Sequence, residues 1–364
     1  MRKESRNDIF RILSLAFTAL LLLAAVFFLL QLEETRYGLG SESYSGLSVY
    51  FLDVGQADAA LLLTDGHAMM IDGGNRGDSS LIVSFLRRQG VTHLDVVVCT
   101  HAHEDHVGGL AAAVAECSVD TVYAPVTSDE TKVFQKFQKH VEEQGCGLTV
   151  PQAGDSFYLG DARVEFLSPV AHVEDVNDSS LVLRVDYGET SFLFTGDAER
   201  AAELQIVEGG ADLSATVLKV GHHGSQSSTS YAFLREVMPQ YAVISVGENN
   251  SYGLPDEVVL SRLLDAGTVI YRTDQVGTVC CRSDGAEISV STEKNAAAPL
   301  SWDTPAPERS SAVPEGTWYI GNISSGKFHR LTCGGLPTEE NSRYFSSREE
   351  AVEAGFAPCS RCKP

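Results

Sequence analysis

Short apolar segments alternate with stretches of helical periodicity between residues 47 and 292. The runs "SVYFLDV", "AALLLT", "DVVVCT", "SFLFTGD" and "TVLKV" are rich in apolar, β-branched and aromatic residues, which is typical of strands. Strands that alternate with helices predict an α/β domain, which we bound at 45–292. The turn sequence "YGET" between two runs predicts a β-hairpin, so part of the sheet is expected to be antiparallel.

A longer apolar run fills residues 12–32. From residue 12 to residue 30 only Ser14 and Thr18 are polar, enough to cross a hydrocarbon core about 30 Å thick. Four basic residues lie within 1–11 and two glutamates follow the run, which predicts a cytoplasmic N-terminus and an extracytoplasmic remainder. We therefore expect a single-pass anchor in the cell membrane. A cleaved signal peptide is the alternative, but no small-residue cleavage site follows the run.

Composition changes towards the C-terminus. Residues 293–316 are rich in proline, alanine and serine without periodicity, which predicts a linker, and residues 317–364 form a short module. The formal net charge of the 364-residue chain is −22, which argues against a broad electrostatic contact with nucleic acid. The module has six Lys or Arg and five Glu, a net charge of +1, which leaves −23 on the rest.

The stretch "CTHAHEDHVGG" at residues 99–109 carries three histidines and two carboxylates directly after a predicted strand. His101 and His103 point to the same side of an extended loop, while Asp105 and His106 begin the next helix. Imidazole and carboxylate groups suit Zn²⁺ or a similar divalent ion. Ordinary polar residues at a strand end are the alternative, but so dense a group of ligands favours a metal site.

Two further strand ends supply partners for this cluster. "FLFTGDAE" places Asp197 after one predicted strand, and "LKVGHHGS" places His222 and His223 after another. Because sites in α/β sheets form where strands end, we expect these side chains to join the first cluster. The combined set is sufficient for two ions with one bridging carboxylate.

Six motifs follow one another in order: "FLDVGQADAALL", "MMIDGGN", "THAHEDHVGGL", "NDSSLVLRVDYGETSFLFTGDAE", "LKVGHHGSQSS" and "RTDQVGTV". Together they resemble the metallo-β-lactamase superfamily, and in particular the extracytoplasmic hydrolase domain of ComEC-type competence proteins. The resemblance implies an αββα sandwich with up to two ions, Zn²⁺ or Mn²⁺, between its sheets. The implied ligands are His101 and His103 for the first ion, Asp105, His106 and either His222 or His223 for the second, and Asp197 for both.

The resemblance also implies metal-assisted hydrolysis. Asp105 or Asp197 would position the attacking hydroxide, and Asp72 of "IDGG" would orient a ligand histidine. Lys219 and the backbone of "GHHGS" are candidates to hold phosphoester oxygens, with an ordinary solvent-facing lysine as the alternative for Lys219. Asp58 receives no role, and Asp58→Ala is expected to preserve metal and activity.

Two departures from the family pattern concern the level of activity. Many members have a third histidine for the first ion, whereas "NDSSLVL" offers only Asn177, Asp178 and Ser180. ComEC-type domains tend to have "YGHP" where this chain has "YGLP", so that Leu254 replaces a histidine. The missing third histidine predicts a weak or open first metal position, and Leu254 predicts weaker assistance to the transition state or the leaving group.

The C-terminal module contains "FHRLTCGGLP" and "PCSRCKP". Two pairs of soft ligands suit a tetrahedral structural zinc site, with a disulfide as the alternative; the ligands are His329, Cys333, Cys359 and Cys362. The module resembles the zinc-binding domain of Ada-type DNA repair proteins. Because His329 falls at the spacing of that family's methyl-accepting cysteine, methyl transfer is not expected, whereas contact with DNA remains a hypothesis.

These patterns together predict a membrane-anchored, extracytoplasmic, metal-dependent hydrolase that acts on DNA as a phosphodiesterase or nuclease. No nucleotide cofactor is expected. Two alternatives stay open: a catalytically weak or inactive protein that binds DNA or the envelope, and a hydrolase of small-molecule esters, with β-lactams or thioesters as further substrates.

Overall fold

The computed structural model describes residues 46–169, 175–294, 319–330, 333, 337 and 341–359. The predicted cytoplasmic segment 1–11 and membrane anchor 12–32 lie outside these residues, as does nearly all of the linker 293–316. Within the described ranges, no helix has both the length and the apolar character needed to span a bilayer.

Most strands between residues 47 and 283 follow the predicted apolar runs. In chain order the strands are β1 (Leu47–Phe51), β2 (Ala59–Thr64), β3 (His67–Gly73), β4 (His93–Val98), β5 (Ser118–Tyr123), β6 (Leu148–Thr149), β7 (Ser156–Leu159), β8 (Ala162–Phe166), β9 (Leu183–Tyr187), β10 (Thr190–Phe194), β11 (Val217–Lys219), β12 (Tyr241–Ile244), β13 (Val269–Arg272), β14 (Val279–Ser283), β15 (Ile288–Thr292), β16 (Tyr319–Asn322), β17 (Lys327–Arg330), β18 (Ser342–Phe345) and β19 (Ala357–Pro358).

The helices alternate with these strands. They are α1 (Ser79–Arg88), α2 (Glu104–Val107), α3 (Leu110–Glu116), α4 (Lys132–Glu143), α5 (Arg200–Glu208), α6 (Tyr231–Val237), α7 (Glu257–Asp265), α8 (Thr273–Val276) and α9 (Arg348–Glu353).

Two sheets contain the strands up to β15. The first has the order β15-β14-β1-β2-β3-β4-β5-β6, and the second has the order β13-β12-β11-β10-β9-β8-β7. Strands β3 to β6 and β10 to β13 pair in parallel, and the other neighbours pair antiparallel. The predicted hairpin at "YGET" is confirmed, since β9 and β10 pair antiparallel with Tyr187 opposite Thr190.

The alternation of side chains along β1 shows how the layers are stacked. Phe51 stacks on Phe194 of the second sheet, with ring centroids 5.7 Å apart. Its neighbour Tyr50 points to the opposite face and contacts Phe85 of α1 at 5.4 Å. A second core lies between the other sheet and helices α5 to α7. The chain therefore forms the expected αββα sandwich.

The C-terminal module has its own small sheet with the order β18-β16-β17-β19. Among the described residues of the module, Phe328, Phe345 and Ala351 form a buried apolar cluster, Ile320 is also buried, and Tyr319, Ala354 and Phe356 pack against the cluster. A core of this size supplies too little apolar burial to fold a module by itself, which is the usual reason for a structural metal.

Candidate metal centre

Strands from both sheets end at the predicted ligands. The "HAHEDH" segment follows β4 of the first sheet, and α2 carries Asp105 and His106. Asp197 follows β10 of the second sheet, and a 3₁₀ turn, Gly221–Gly224, places His223 just after the neighbouring β11. The side-chain atoms of Asp105, His106, Asp197 and His223 that can bind a metal all lie within 4.8 Å of one another.

This four-residue group has the geometry of a metal site. His106 Nε2 lies 3.2 Å from Asp197 Oδ1, and His223 Nε2 lies 3.3 Å from Asp105 Oδ2. His106, Asp197 and His223 are at most 2% exposed. Although His106 Nε2 and Asp197 Oδ1 face each other in the interior, they form no well-aligned hydrogen bond with each other or with another group. A cation between them would satisfy both. Two imidazoles and two carboxylates fit a divalent ion such as Zn²⁺.

Hydrogen bonds at Nδ1 of His106 and His223 direct the Nε2 atom of each ring at a carboxylate of this group. His106 Nδ1 donates to Asp72 Oδ2 at 2.8 Å, and Asp72 accepts two further bonds, from the Thr100 backbone at 2.8 Å and the Thr100 hydroxyl at 2.6 Å. His223 Nδ1 donates to the Ser245 carbonyl at 3.0 Å. Such bonds to the second ring nitrogen orient metal-binding histidines. Asp72 therefore holds the His106 ring with Nε2 directed at Asp197.

A second group of histidines approaches Asp197 Oδ2. His101 Nε2 lies 3.8 Å from this oxygen and 3.1 Å from His103 Nδ1. His222 Nε2 lies 3.7 Å from the same oxygen. His223, rather than His222, is thus the histidine that joins Asp105 and His106.

The backbone around the paired histidines is strained. His222 (φ 48°, ψ 47°) and His223 (φ 52°, ψ 24°) both adopt left-handed conformations. Such conformations cost non-glycine residues about 1–3 kcal/mol each and persist only where the surroundings enforce them. Their effect here is to turn both imidazoles towards Asp197.

Charge is concentrated at Asp197. Burial favours the protonated carboxyl, but His106 and His223 outweigh it and hold the pKa of Asp197 well below its usual range. Burial lowers the pKa of His223, yet Asp197 and Asp58 raise it to about 10. Burial is the main reason that the pKa of His101 lies well below its ordinary value. A buried anionic Asp197 requires compensating positive charge, which the two imidazoles supply when they are protonated and which a divalent cation would supply in place of those protons.

Asp58 and Lys219 form an ion pair that sequence analysis did not predict. Lys219 Nζ lies 2.7 Å from Asp58 Oδ2, and each residue is 4% exposed. Asp58 Oδ1 lies 3.3 Å from His223 Nδ1. Lys219 thus points into the interior rather than towards a phosphoester or solvent. Asp58, to which sequence analysis gave no role, thus contacts a histidine of the site, and its only sequence signal was an acidic residue, in "GQAD", at the start of an apolar run.

We predict that Asp58→Asn destabilises the fold by about 3–5 kcal/mol, because it leaves the buried Lys219 ammonium without its partner. We also expect metal affinity to fall by about 10–100-fold through loosening of His223. Denaturant unfolding and metal competition titration measure the two effects. The double variant Asp58→Asn/Lys219→Met removes the unpaired charge and should recover most of the stability but not the affinity; equal stability of the two variants would contradict the ion-pair explanation.

The residues considered in place of a third histidine support the loop around Asp197. Asp178 Oδ1 accepts the Glu199 backbone N–H at 2.9 Å, and Ser180 Oγ accepts that of Asp197 at 3.0 Å. The Asn177 amide donates to the Glu199 carboxylate at 3.3 Å.

Glu199 is a further residue that sequence analysis missed. Its Oε1 lies 3.1 Å from His222 Nδ1 and accepts a bond from the Ser227 hydroxyl at 2.9 Å, so it orients the His222 ring. Leu254 packs against the core between the second sheet and its helices.

The C-terminal module brings three of its four predicted ligands together. Ligand atoms of His329, Cys333 and Cys359 lie within 4.8 Å of one another, and all three residues are buried. His329 Nδ1 is 3.3 Å from Cys333 Sγ, and His329 Nε2 is buried without a hydrogen-bond partner. Two thiols and an imidazole fit a structural zinc site. Cys362 lies outside the described residues, and no disulfide joins two of the cysteines within them.

Two family models match the chain. The model described as "Metallo-beta-lactamase superfamily" matches residues 52–248, and the model described as "Metal binding domain of Ada" matches residues 306–364. Both expected resemblances are thereby confirmed.

Curated relatives include competence proteins. Identity to ComE operon protein 3 of Bacillus subtilis (strain 168) is 31% over 250 residues, covering 64% of this chain and 32% of the relative. Identity to Competence protein ComA of Neisseria gonorrhoeae is 34% over 230 residues, covering 62% and 31%. The matched region thus spans about a third of these relatives. Among solved structures, the metallo-beta-lactamase fold protein YhfI from Bacillus subtilis matches 57% of this chain and 89% of its own, at 13% identity and a TM-score of 0.40.

Proposed function

Because the chain belongs to the metallo-beta-lactamase superfamily, we propose that residues 45–292 are a metal-dependent phosphodiesterase that cleaves DNA, held at the outer face of the cell membrane by residues 12–32. The observation that carries the hydrolase assignment is the buried group of Asp105, His106, Asp197 and His223. DNA as the substrate is supported by relatives named as competence proteins and by the C-terminal match to the metal binding domain of Ada.

Divalent ions supply Lewis-acid activation of water and of the scissile oxygen when they are bound. The chain contributes orientation and charge around them. Asp72 and Asp58 contact the outer nitrogens of His106 and His223. The Asp105 side chain is 32% exposed, whereas that of Asp197 is 2% exposed. Asp105 is therefore the carboxylate placed to accept a proton from water that enters from solvent, while Asp197 stays anionic in the interior.

The substrate is tested with the purified full-length chain in detergent, loaded with Mn²⁺ or Zn²⁺. Single- and double-stranded DNA are compared with a chromogenic phosphodiester, a phosphocholine ester and a β-lactam under identical conditions. We expect the protein to cleave DNA and to lose this activity when a chelator removes the metal. Turnover of the phosphocholine ester or the lactam without cleavage of DNA would instead identify a small-molecule hydrolase, and no turnover by a fully metallated protein would identify a binding protein.

Removal of residues 293–364 tests the contribution of the C-terminal module. The module has a net charge of +1 in a chain of net charge −22, so it is the part of the sequence best suited to hold a polyanion near the site. We predict that KM for DNA rises by about tenfold or more while kcat is unchanged. Unchanged KM would show that the module does not contact substrate.

Topology is tested on intact cells. Because basic residues precede the apolar run at 12–32, we predict that an added protease removes the bulk of the chain and that the remainder fractionates with membranes. A protease-treated sample of lysed cells provides the control for intrinsic susceptibility. Full protection in intact cells would contradict the proposed orientation. Release of the chain into the medium without added protease would indicate a cleaved signal peptide.

A further inference from the structure

The C-terminal module contacts the hydrolase domain at Tyr231 and Asp265. The Lys327 ammonium forms an ion pair with the Asp265 carboxylate and lies over the Tyr231 ring, 4.5 Å from its centroid. The Tyr231 hydroxyl donates to Asp265 Oδ2 at 3.3 Å. The Lys327 and Asp265 side chains are 18% and 9% exposed, so the pair is largely removed from water.

The same carboxylate reaches the metal ligands of the module. Cys359 Sγ donates to Asp265 Oδ1 at 3.5 Å. Cys359 belongs to the ligand group with His329 and Cys333. Asp265 of the hydrolase domain therefore belongs to the ion pair and also contacts the proposed zinc centre.

Lys327 and two of the ligands lie on, or directly after, two paired strands. Strand β17 carries Lys327 and His329, which are two positions apart and share one face. Strand β19 pairs with β17 and leads into Cys359, whose backbone N–H donates to the Phe328 carbonyl at 3.0 Å. A metal that joins His329 to Cys359 thus also fixes the strand that presents Lys327.

We infer that the C-terminal module docks on helices α6 and α7 of the hydrolase domain in a metal-dependent manner, with Asp265 as the anchor. The small apolar cluster in the described part of the module contributes little folding energy for β17, and metal binding would supply more. A largely buried ion pair is favourable only when both partners are held in place. When Cys359 binds metal as a thiolate, Lys327 balances the adjacent negative charges.

Hydrogen–deuterium exchange of the full-length, zinc-loaded chain tests this inference. We expect Asp265→Asn and Lys327→Met each to reduce the protection of β17 and of the C-terminal end of α7 by about tenfold, a value between those of exposed and buried ion pairs. His329→Ala, which removes a ligand of the module, should have the same effect on α7. Lys139→Met is the matched control, because Lys139 forms an exposed ion pair with Glu143, at 3.5 Å.

Two comparisons make the result decisive. Asp197→Asn disturbs the hydrolase metal site instead, so it should leave the protection of α7 intact. Lys327→Arg keeps the cation and should retain docking. Unchanged exchange in α7 of the Asp265→Asn, Lys327→Met and His329→Ala variants would overturn the inference. An equal loss of protection in Lys327→Arg and Lys327→Met would also overturn it.

Discussion

Asp197→Asn is expected to reduce DNA cleavage by about a thousandfold or more and to remove metal from the hydrolase domain. The physical reason is that Asp197 faces His106, His222 and His223 from the interior, and an amide cannot supply the negative charge that holds a cation there. A loss of several kcal/mol of transition-state stabilisation corresponds to this factor. Steady-state cleavage and metal analysis measure the two effects.

Asp120→Asn is the matched control for this prediction. Asp120 lies on β5 beside the middle of the parallel strand β4. It is therefore away from the end of β4 that leads into the "HAHEDH" segment. Its side chain is 66% exposed. Metal content and cleavage should therefore match those of the unmodified chain. Full metal content in Asp197→Asn would contradict the ligand assignment, and retained cleavage without metal would contradict the mechanism.

Removal of metal from the C-terminal module is expected to unfold the module while the sandwich stays folded. Structural zinc contributes about 10–16 kcal/mol to the folding of small zinc modules, far more than the small apolar cluster around Phe328 supplies in the described part of this one. Exchange in residues 319–330 and 341–359 of the full-length chain should become complete within the shortest labelling time in His329→Ala. The buried strands β1 to β4 provide the internal reference.

The disulfide alternative makes the opposite prediction for the module. A disulfide-stabilised module keeps its protection in chelator and loses it on reduction. A zinc-stabilised module loses protection in chelator and regains it when Zn²⁺ is returned under reducing conditions.

The strands that sequence analysis predicted are those with a continuous apolar run, such as β4 with its three consecutive valines. Strands β6, β7 and β15 were not predicted. β6 has only two residues, and β7 and β15 are edge strands that consist largely of half-exposed or exposed side chains. A short or largely exposed strand has neither a continuous apolar run nor a clear alternation by which the sequence could mark it.

Sequence analysis likewise predicted some residues of the candidate site and missed others. Ligand-type residues clustered in "HAHEDH" or placed after a strand were recognisable, because several of them converge on one edge of the sheets. Asp58 and Glu199 were not recognisable, because each acts on a histidine that is distant in sequence. Lys219 was assigned to the substrate side, since its sequence neighbours do not reveal that a carboxylate 161 positions earlier approaches it from another strand end.

Anomalous X-ray diffraction at the zinc or manganese edge, on crystals of the metal-loaded protein, locates the metal in the hydrolase domain directly. We predict a peak about 2.0–2.2 Å from ligand atoms of Asp105, His106, Asp197 and His223. A second, weaker peak among His101, His103 and His222 would agree with a first metal position that is left open by the missing third histidine. Full occupancy of a metal elsewhere in the hydrolase domain, with no peak at Asp197, would contradict the account.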